Sequence, residues 1–453
     1  MRIFGRHALL PEGWRKDVAV TIEYGRIASV VAGSTPHRDD IHVPNLLPAL
    51  SNLHSHTFQR GMAGMTETRG ASRDSFWTWR EMMYRFIDHL TPQDIEAIAA
   101  MAFVEMQESG FAAVAEFHYV HHQPGGVPYA DPAELSARIF AAAVQTGIGI
   151  THLPVLYTFG GAGETPLAGG QLRFGNNFSS YEKLHAAVVT AAKTMPQDSL
   201  AGCAPHSLRA VNPEILQQAV NAFGDLPLHI HIAEQTKEIE DIEAWLGARP
   251  VEWLLANATI GPNWCLIHAT HMSEAETRNA AKTGAVAGLC PVTEANLGDG
   301  IFNGRDWIAG GGKLGIGSDS NVRISAPLEL ATLEYSQRLR HRERNVMIDG
   351  EGSTGMSLYR RALIGGAQAL GRDSGAIKTG KWADLMALDN EHPALCGLAV
   401  DQLLDGYIFA APDGVVSDLW SAGRHCVKDR RHVARDAVAN AYRATMHSLQ
   451  SRF

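Results

Sequence analysis

A chain of 453 residues, 45% of them hydrophobic, can build one large α/β domain and a smaller appendage. Its net charge of −9, with 19% charged residues, excludes a nucleic-acid groove, which needs clustered Lys and Arg. The 5 cysteines (Cys203, Cys265, Cys290, Cys396 and Cys426) lie far apart and never form a C-x-x-C, which predicts a reducing compartment and excludes a zinc finger.

The opening stretch MRIFGRHALLPEG lacks the apolar segment and cleavage site of a signal peptide. No apolar run reaches the roughly 18 residues of a membrane span, so a cytoplasmic protein with no membrane partner is expected. Residues 1–46 read as short strands, and DVAVTIEYGRIASVVAG contains a hairpin broken at Tyr24-Gly25. From Leu47 the cadence becomes apolar strand, loop and amphipathic helix, repeated. The strands are LLPALSNLH, FAAVAEFHY, IGITHLPVLY, LAGCAPHS, LPLHIHIAE, WCLIHATH, AVAGLCPV and KLGIGSDS. Helices such as TPQDIEAIAAMAFVEMQES, DPAELSARIFAAAVQ and NPEILQQAVNAF separate most of them. Nearly continuous apolar strands alternating with helices predict a parallel (β/α)8 TIM-like barrel over 47–375. Strand character returns in IKTGKWADLMALD and VSDLWSAGRHCVKDRRHV, followed by a terminal helix over 436–453. The segments 1–46 and 376–435 are expected to pair into one small domain.

The polar residues fall at the strand ends. His54 and His56 end strand one, His206 ends strand four, and His229 and His231 lie on strand five. His268 ends strand six and Asp319 ends strand eight. Alternate residues of a strand share a face, so His54 and His56 point the same way. The C-terminal strand ends of such a barrel converge on one mouth, where active sites of this fold lie. Imidazoles and a carboxylate meeting there predict a metal ion, Zn²⁺ best and Fe²⁺ as the alternative. Glu234 lies three residues beyond His231, too far along for the same ion. It is placed for proton transfer, with a surface ion pair to Lys237 as the competing reading.

The spacing His54-x-His56, His231-x-x-Glu234, His268 and Asp319 resembles the mononuclear deaminase branch of the amidohydrolase superfamily, across essentially the whole chain. GGAQALG and GKWADLMALD resemble that superfamily's junction between barrel and β-sandwich, which makes the small terminal domain a β-sandwich. Binuclear members carry a bridging lysine on strand four; LAGCAPHSL has none, which favours a single ion. The longer strings HSHTFQRGMAGMTE, FWTWREMMYRF, APHSLRAV and GSDSNVRISAPLEL are similar to those of members that deiminate N-formimidoyl-L-glutamate in histidine degradation.

The resemblance implies one Zn²⁺ per chain held by His54, His56, His231 and Asp319, making hydroxide available to the formimidoyl carbon. Products are then N-formyl-L-glutamate and ammonia, with Glu234, His268 and Asp319 sharing the proton transfers. It also implies that Gln59, Arg80, Tyr119, His206 and Arg209 contact a small dicarboxylate amidine substrate, and that the assembly is a homodimer. The alternatives are another mononuclear-zinc aminohydrolase acting on guanine or an adenosine derivative, and a non-catalytic scaffold on the same fold. Two features bear on the substrate. Residues 57–91 separate strand one from its helix, where a connection normally has about two to six residues, so a lid or specificity element is expected. Within it, Phe76, Arg80, Met83 and Ile87 fall on one helical stripe, so Arg80 points where apolar neighbours point. Arg80 and Arg209 are the candidate guanidinium forks for the carboxylates, although a snorkelling arginine fits the Arg80 spacing as well. His121 and His122 are expected to be solvated, His229 to lie in the core or behind the ligands, and His271 to orient strand six.

Overall fold

The computed structural model describes residues 1–69 and 76–452. Four strands open the chain: β1 (Arg2–Leu10), β2 (Gly13–Glu23), β3 (Arg26–Val31) and β4 (Ile41–Pro48). The β2–β3 turn is the predicted one, with Tyr24 and Gly25 both at positive φ, 49° and 78°. Then come β5 (Leu50–Ser55), β6 (Phe111–His118), β7 (Gly149–Leu156), β8 (Leu200–Ala201) and β9 (Ala204–Pro205). A second run holds β10 (Leu228–Ile232), β11 (Trp264–His268), β12 (Val286–Leu289) and β13 (Lys313–Ile316). The chain closes with β14 (Leu385–Leu388), β15 (Val416–Ser421), β16 (Arg424–Lys428), β17 (Arg431–His432) and the helix Arg435–Arg452.

The two chain ends share one eight-stranded sheet, in the order β17-β16-β15-β14-β4-β1-β2-β3. Its seam is β4 against β14, antiparallel, with Met386 opposite Leu47. Alternation along these strands divides their apolar residues between two clusters. Leu46, Leu385 and Trp420 join Ile3, Val18 and Val20 in a small cluster of the sheet's own. Leu47, Met386 and Leu419 turn the other way into the main core.

The main core is built on parallel strands in two sheets, β5-β6-β7-β8 with β9 on β7, and β10-β11-β12-β13. Backbone bridges join their edges: Ser55 with Asp319, Cys203 with Leu228, and Ser207 with His231, all parallel. Two expectations change in detail. The stretch LLPALSNLH is not one strand: the chain leaves the outer sheet at Pro48 and enters the inner one at Leu50. Ala49 N donates to Asp384 O and Leu50 N to Gly110 O, so each side of the step is paired with a different sheet. Predicted strand four is two short pieces, because Gly202 and Cys203 bond to His152 O and Pro227 O between them.

The helix after β5, Pro92–Ser109, starts and stops where its residues dictate. Thr91 and Asp94 form a capping box, Pro92 occupies the first turn, and Gly110 ends it at φ 110°. The insertion at 57–91 contains a 3-10 turn, Thr57–Met62, and a helix, Phe76–Ile87. Positions 70–75 of that predicted lid lie outside the described residues. The glycine pair of GGAQALG brings the helix Thr354–Ala369 onto bare backbone: a Cβ on Gly365 would sit 1.9 Å from Leu314 O. That helix thereby packs directly on β13 and β5, the strands that lead to Asp319 and His54.

The inner body and the terminal sheet are also tied by a buried charge cluster. Arg372 donates to Asp384 Oδ2 at 2.7 Å and Oδ1 at 2.9 Å, and to Asp198 Oδ2 at 2.9 Å. Asp198 takes a second arginine, Arg424, at 2.7 Å. Removing one partner of a buried ion pair leaves an uncompensated charge, so Arg372→Met is expected to lose about 3–5 kcal/mol of stability. A lowered melting temperature with unchanged metal content would show this; an unchanged melting curve would mean that water takes over the guanidinium's role.

Candidate metal centre and its pocket

His54 and His56 flank Ser55 at the end of β5, with His54 fully buried and His56 4% exposed. A hydrogen-bonded clasp fixes the opposite wall. Asn52 Nδ2 donates to Ser318 Oγ at 2.6 Å, Ser318 Oγ to Asn321 Oδ1 at 2.6 Å, and Asn321 Nδ2 to Ser55 Oγ at 3.1 Å. Within it the backbones of His54, His56 and Asp319 exchange two bonds of 2.9 Å. Gly317 stands beside His54, where a Cβ would meet His54 O at 2.7 Å. Local strain gathers at the same strand ends: Ala233, His268, Ala269, Asp319 and Asn321 all have positive φ without being glycine. Surrounding bonds hold them there.

The donor atoms converge. Asp319 Oδ1 lies 3.2 Å from both His54 Nε2 and His56 Nε2, and His231 Nε2 is 3.1 Å from His54 Nε2. His56 Nδ1 donates to Phe117 O at 2.8 Å, and His231 Nδ1 to His206 O at 3.0 Å. A carbonyl only accepts, so both rings keep an Nε2 lone pair turned toward Asp319 and His54. Burial holds the three imidazoles neutral, His54 down to about 3 and His56 and His231 also below the ordinary histidine range. For Asp319 burial works against the charge, but the hydrogen bond with His54 and the nearby rings take it well below the usual carboxylate value. Neutral nitrogen donors around an ionised carboxylate suit a divalent cation, so the residues present fit a metal ion. Taken by mutual distance alone, His54, His231, His268 and Asp319 all place a donor atom within 4.8 Å of one another. His268 is therefore nearer the centre than the expected ligand set implied.

Its environment sets His268 apart. Its Nδ1 is 3.2 Å from Glu294 Oε1 and its Nε2 is 3.8 Å from Glu234 Oε1. Burial disfavours the charged ring, yet Glu234, the Glu294 hydrogen bond and Asp319 outweigh it and lift His268 to about 10. Glu234 is itself raised, by burial first, with His268 and Arg209 opposing. The two groups together hold a proton readily at neutral pH. Lys237, the competing partner for Glu234, pairs with Asp241 at 2.8 Å instead. Glu234 Oε2 faces Arg209 Nη2 at 3.4 Å.

One cavity takes in His56, Gln59, Arg80, Tyr119, His206, Arg209, His231, Glu234, His268 and Asp319. Of the expected site residues only His54 lies behind its surface. The helix stripe behaves as its spacing implies: Met83 and Ile87 are buried, and Phe76 and Arg80 face the cavity. Arg80 Nε donates to Tyr84 Oη, and the Arg209 guanidinium lies 5.8 Å from the Phe76 ring centre. Gln59 Nε2 donates to Tyr119 Oη at 2.6 Å. His206 packs on Tyr157 and His231, with ring centres 4.6 and 4.8 Å apart.

Other histidines are elsewhere. His121 is buried and bonds Val155 O at 2.9 Å, and His122, half-buried, bonds Gly175 O at 2.8 Å, so neither is solvated as expected. His229, two residues before His231 on β10, is fully buried and bonds Ala369 O at 2.8 Å, the core position expected of it. His271 ties the end of strand six to Asp299 O at 2.9 Å.

Sequence reasoning missed several contributors. Glu116 is fully buried, accepts from Thr57 N and Oγ1 at 2.8 and 2.6 Å, and is pushed by burial to about 7. Glu294 and Glu238 brace His268 and Arg209, and Tyr84, Tyr157 and Phe174 supply aromatic wall. The position of Glu294 and Glu238 in the first turn of short helices after strands was a legible signal; Phe174 and Tyr157 left none.

The amidohydrolase family profile matches residues 45–426, and a profile for the N-terminal domain of formimidoylglutamate deiminase HutF matches residues 1–42. The chain is 48% identical over 447 residues to formimidoylglutamate deiminase of Pseudomonas aeruginosa, covering 97% of each chain. It is 25% identical to 5-methylthioadenosine/S-adenosylhomocysteine deaminase of Natronomonas pharaonis, over 99% of this chain and 97% of that one. Among solved structures, an amidohydrolase from Brucella melitensis superposes with TM-score 0.95 at 47% identity, over 99% of both chains. An adenosine deaminase from Xanthomonas campestris with bound zinc superposes with TM-score 0.82 at 22% identity, over 99% and 98%, a likeness of fold alone.

Proposed function

The chain belongs to the amidohydrolase family, and from that premise we infer that it hydrolyses N-formimidoyl-L-glutamate to N-formyl-L-glutamate and ammonia, a step of histidine degradation. The observation that carries this reading is a pair of arginines, Arg80 and Arg209, turned into the cavity that also holds the His/Asp donors. In an acidic protein a dicarboxylate needs such local guanidinium forks, because the overall field repels it.

The ligand set we propose is His54, His56, His231 and Asp319, with one Zn²⁺, or Fe²⁺ in its place. Two features support His56 over His268: its Nδ1 bond frees Nε2, and His268 is held in its charged form by carboxylates. When bound, the ion supplies a Lewis acid that lowers the pKa of a coordinated water to about 7.

Everything else falls to the chain's own groups. Arg80 and Arg209 hold the carboxylates, while Gln59, Tyr119 and His206 border the space between them and the donors. Asp319 orients the attacking water and takes its proton. Attack makes the planar formimidoyl carbon tetrahedral and moves the C=N electron pair onto the terminal nitrogen, which takes up the proton held by Asp319. The C=O bond then forms, the hydroxyl's remaining proton restoring Glu234, as the bond to the terminal nitrogen breaks. That nitrogen cannot leave as an amide anion, so Glu234 delivers a proton to it and His268 balances the charge beside it. The accompanying fold reading is a (β/α)8 barrel over 47–375 with its lid at 57–91, a β-sandwich of 1–46 with 376–435, and a terminal helix from 436. It is supported by the bridges that join the two parallel sheets and by the shared terminal sheet. A homodimer is the assembly we propose with it.

Ammonia release by purified, metal-loaded protein from N-formimidoyl-L-glutamate, compared with guanine and adenosine, tests the reading. Aromatic walls also suit a purine, and preference for either purine would overturn it. A finer test removes one anchor. A hydrogen bond to a charged group contributes about 1.5–3 kcal/mol, so Arg209→Met is expected to lower kcat/KM roughly 10- to 150-fold. Slow turnover of a small formamidine without carboxylates should barely change. Equal losses on both substrates would make Arg209 a support of the fold or metal site.

A further inference from the structure

Three charged side chains meet beside the cavity almost without solvent: Arg209, Glu234 and Glu238. Glu238 is fully buried in the first turn of the helix Thr236–Leu246. Its carboxylate reaches back over the helix N-terminus, Oε1 accepting from the Ala233 amide and Oε2 from the Glu234 amide, both at 3.1 Å. The same Oε2 lies 3.8 Å from Arg209 Nε, a nitrogen with no hydrogen-bond partner among the described residues. Against the burial that disfavours the Arg209 charge, Glu238 is the foremost support, ahead of Glu234.

A buried guanidinium needs a counter-charge that persists. Glu234 cannot serve if it gains and loses a proton in each turnover. Glu238 is pinned by two backbone amides and lies outside the cavity lining. We propose that Glu238 is a positioning residue: the fixed counter-charge that aims Arg209 at a substrate carboxylate while holding the backbone that carries Glu234. The proposal deepens the reading above and rests on Arg209 as the anion anchor. A plain helix cap at this position predicts something different, a loss of stability with no change in how a dicarboxylate is bound.

Glutarate, a dicarboxylate that cannot react, is the probe, titrated calorimetrically into metal-loaded protein. Wild type should bind it. Glu238→Gln should weaken binding about tenfold, the scale of one lost charge-assisted contact. Glu238→Asp keeps the charge on a shorter arm and should recover part of the loss. In an Arg209→Met background Glu238→Gln should cost no further affinity, because the two act through one another. Turnover should follow, with kcat/KM for N-formimidoyl-L-glutamate falling more than for a small formamidine. The sign of the binding change is decisive: deleting a negative charge near an anion site by itself tightens anion binding, so unchanged or tighter glutarate binding overturns the proposal. If Glu238→Gln does not fold, undiminished binding by Glu238→Asp overturns it in the same way. Wild type that fails to bind glutarate removes Arg209 as the anchor and Glu238's role with it, whereas wild-type binding with insensitive variants removes Glu238 alone.

Discussion

Chelator-treated protein is expected to release no measurable ammonia from N-formimidoyl-L-glutamate, and activity should return as one equivalent of Zn²⁺ per chain is restored. A large effect is expected because a metal in such a site would lower the pKa of its water from about 15.7 to about 7. No side chain replaces it: the three imidazoles around Asp319 are held neutral by burial, and the Nδ1 bonds of His56 and His231 leave their Nε2 lone pairs turned inward. The same experiment separates the two ligand sets that the distances allow. His56→Ala should lose the metal and the activity together, since its Nε2 stands 3.2 Å from Asp319 Oδ1. His268→Gln should keep the metal and lose turnover, since its ring is engaged with Glu294 and Glu234. The reverse pattern would put His268 among the ligands and His56 outside them. Two tightly bound ions per active chain would overturn the single-ion assignment.

Glu234→Gln is expected to lower kcat by roughly 10²-fold or more with metal content intact. The substitution keeps the shape and one hydrogen-bond acceptor but removes the proton carrier. Burial raises Glu234 above the ordinary carboxylate range against the opposing charges of His268, 3.8 Å away, and Arg209, the direction a proton carrier needs. Without it the leaving nitrogen loses the carboxyl group assigned to protonate it. Near-normal turnover would show instead that Glu234 serves as the ion-pair partner of Arg209, 3.4 Å away. Loss of KM control with kcat preserved would point the same way.

Much of this was legible along the chain, because the signals are local. Alternation put His54 and His56 on one face, and His229 and His231 on one face of β10, two residues apart along the strand. Tyr24-Gly25 marked a turn, Thr91 with Pro92 and Asp94 marked a helix start, and polar residues after apolar runs marked the strand ends. Those residue types at those places were enough to expect a divalent metal, a proton carrier and two anion anchors, and the cavity gathers all of them but His54 on its surface.

Tertiary structure decided the rest. Pattern alone does not say that LLPALSNLH divides between two sheets, since its apolar run 46–50 continues across the step, which is set by hydrogen bonds to Asp384 and Gly110. Nor does it pair His121 and His122, which read as loop histidines until Val155 O and Gly175 O arrive from elsewhere to receive them. A first-turn position marks Glu238 along the chain, but only the approach of Arg209 from the previous strand's exit gives it a charge to answer. The division has one physical cause. Periodicity, caps and turn chemistry act between residues a few positions apart, and a sequence states them directly. Which donors share a centre, and which buried charges face one another, depends on backbone bonds between segments as distant as Ser55 and Asp319, and those distances exist only once the chain has folded.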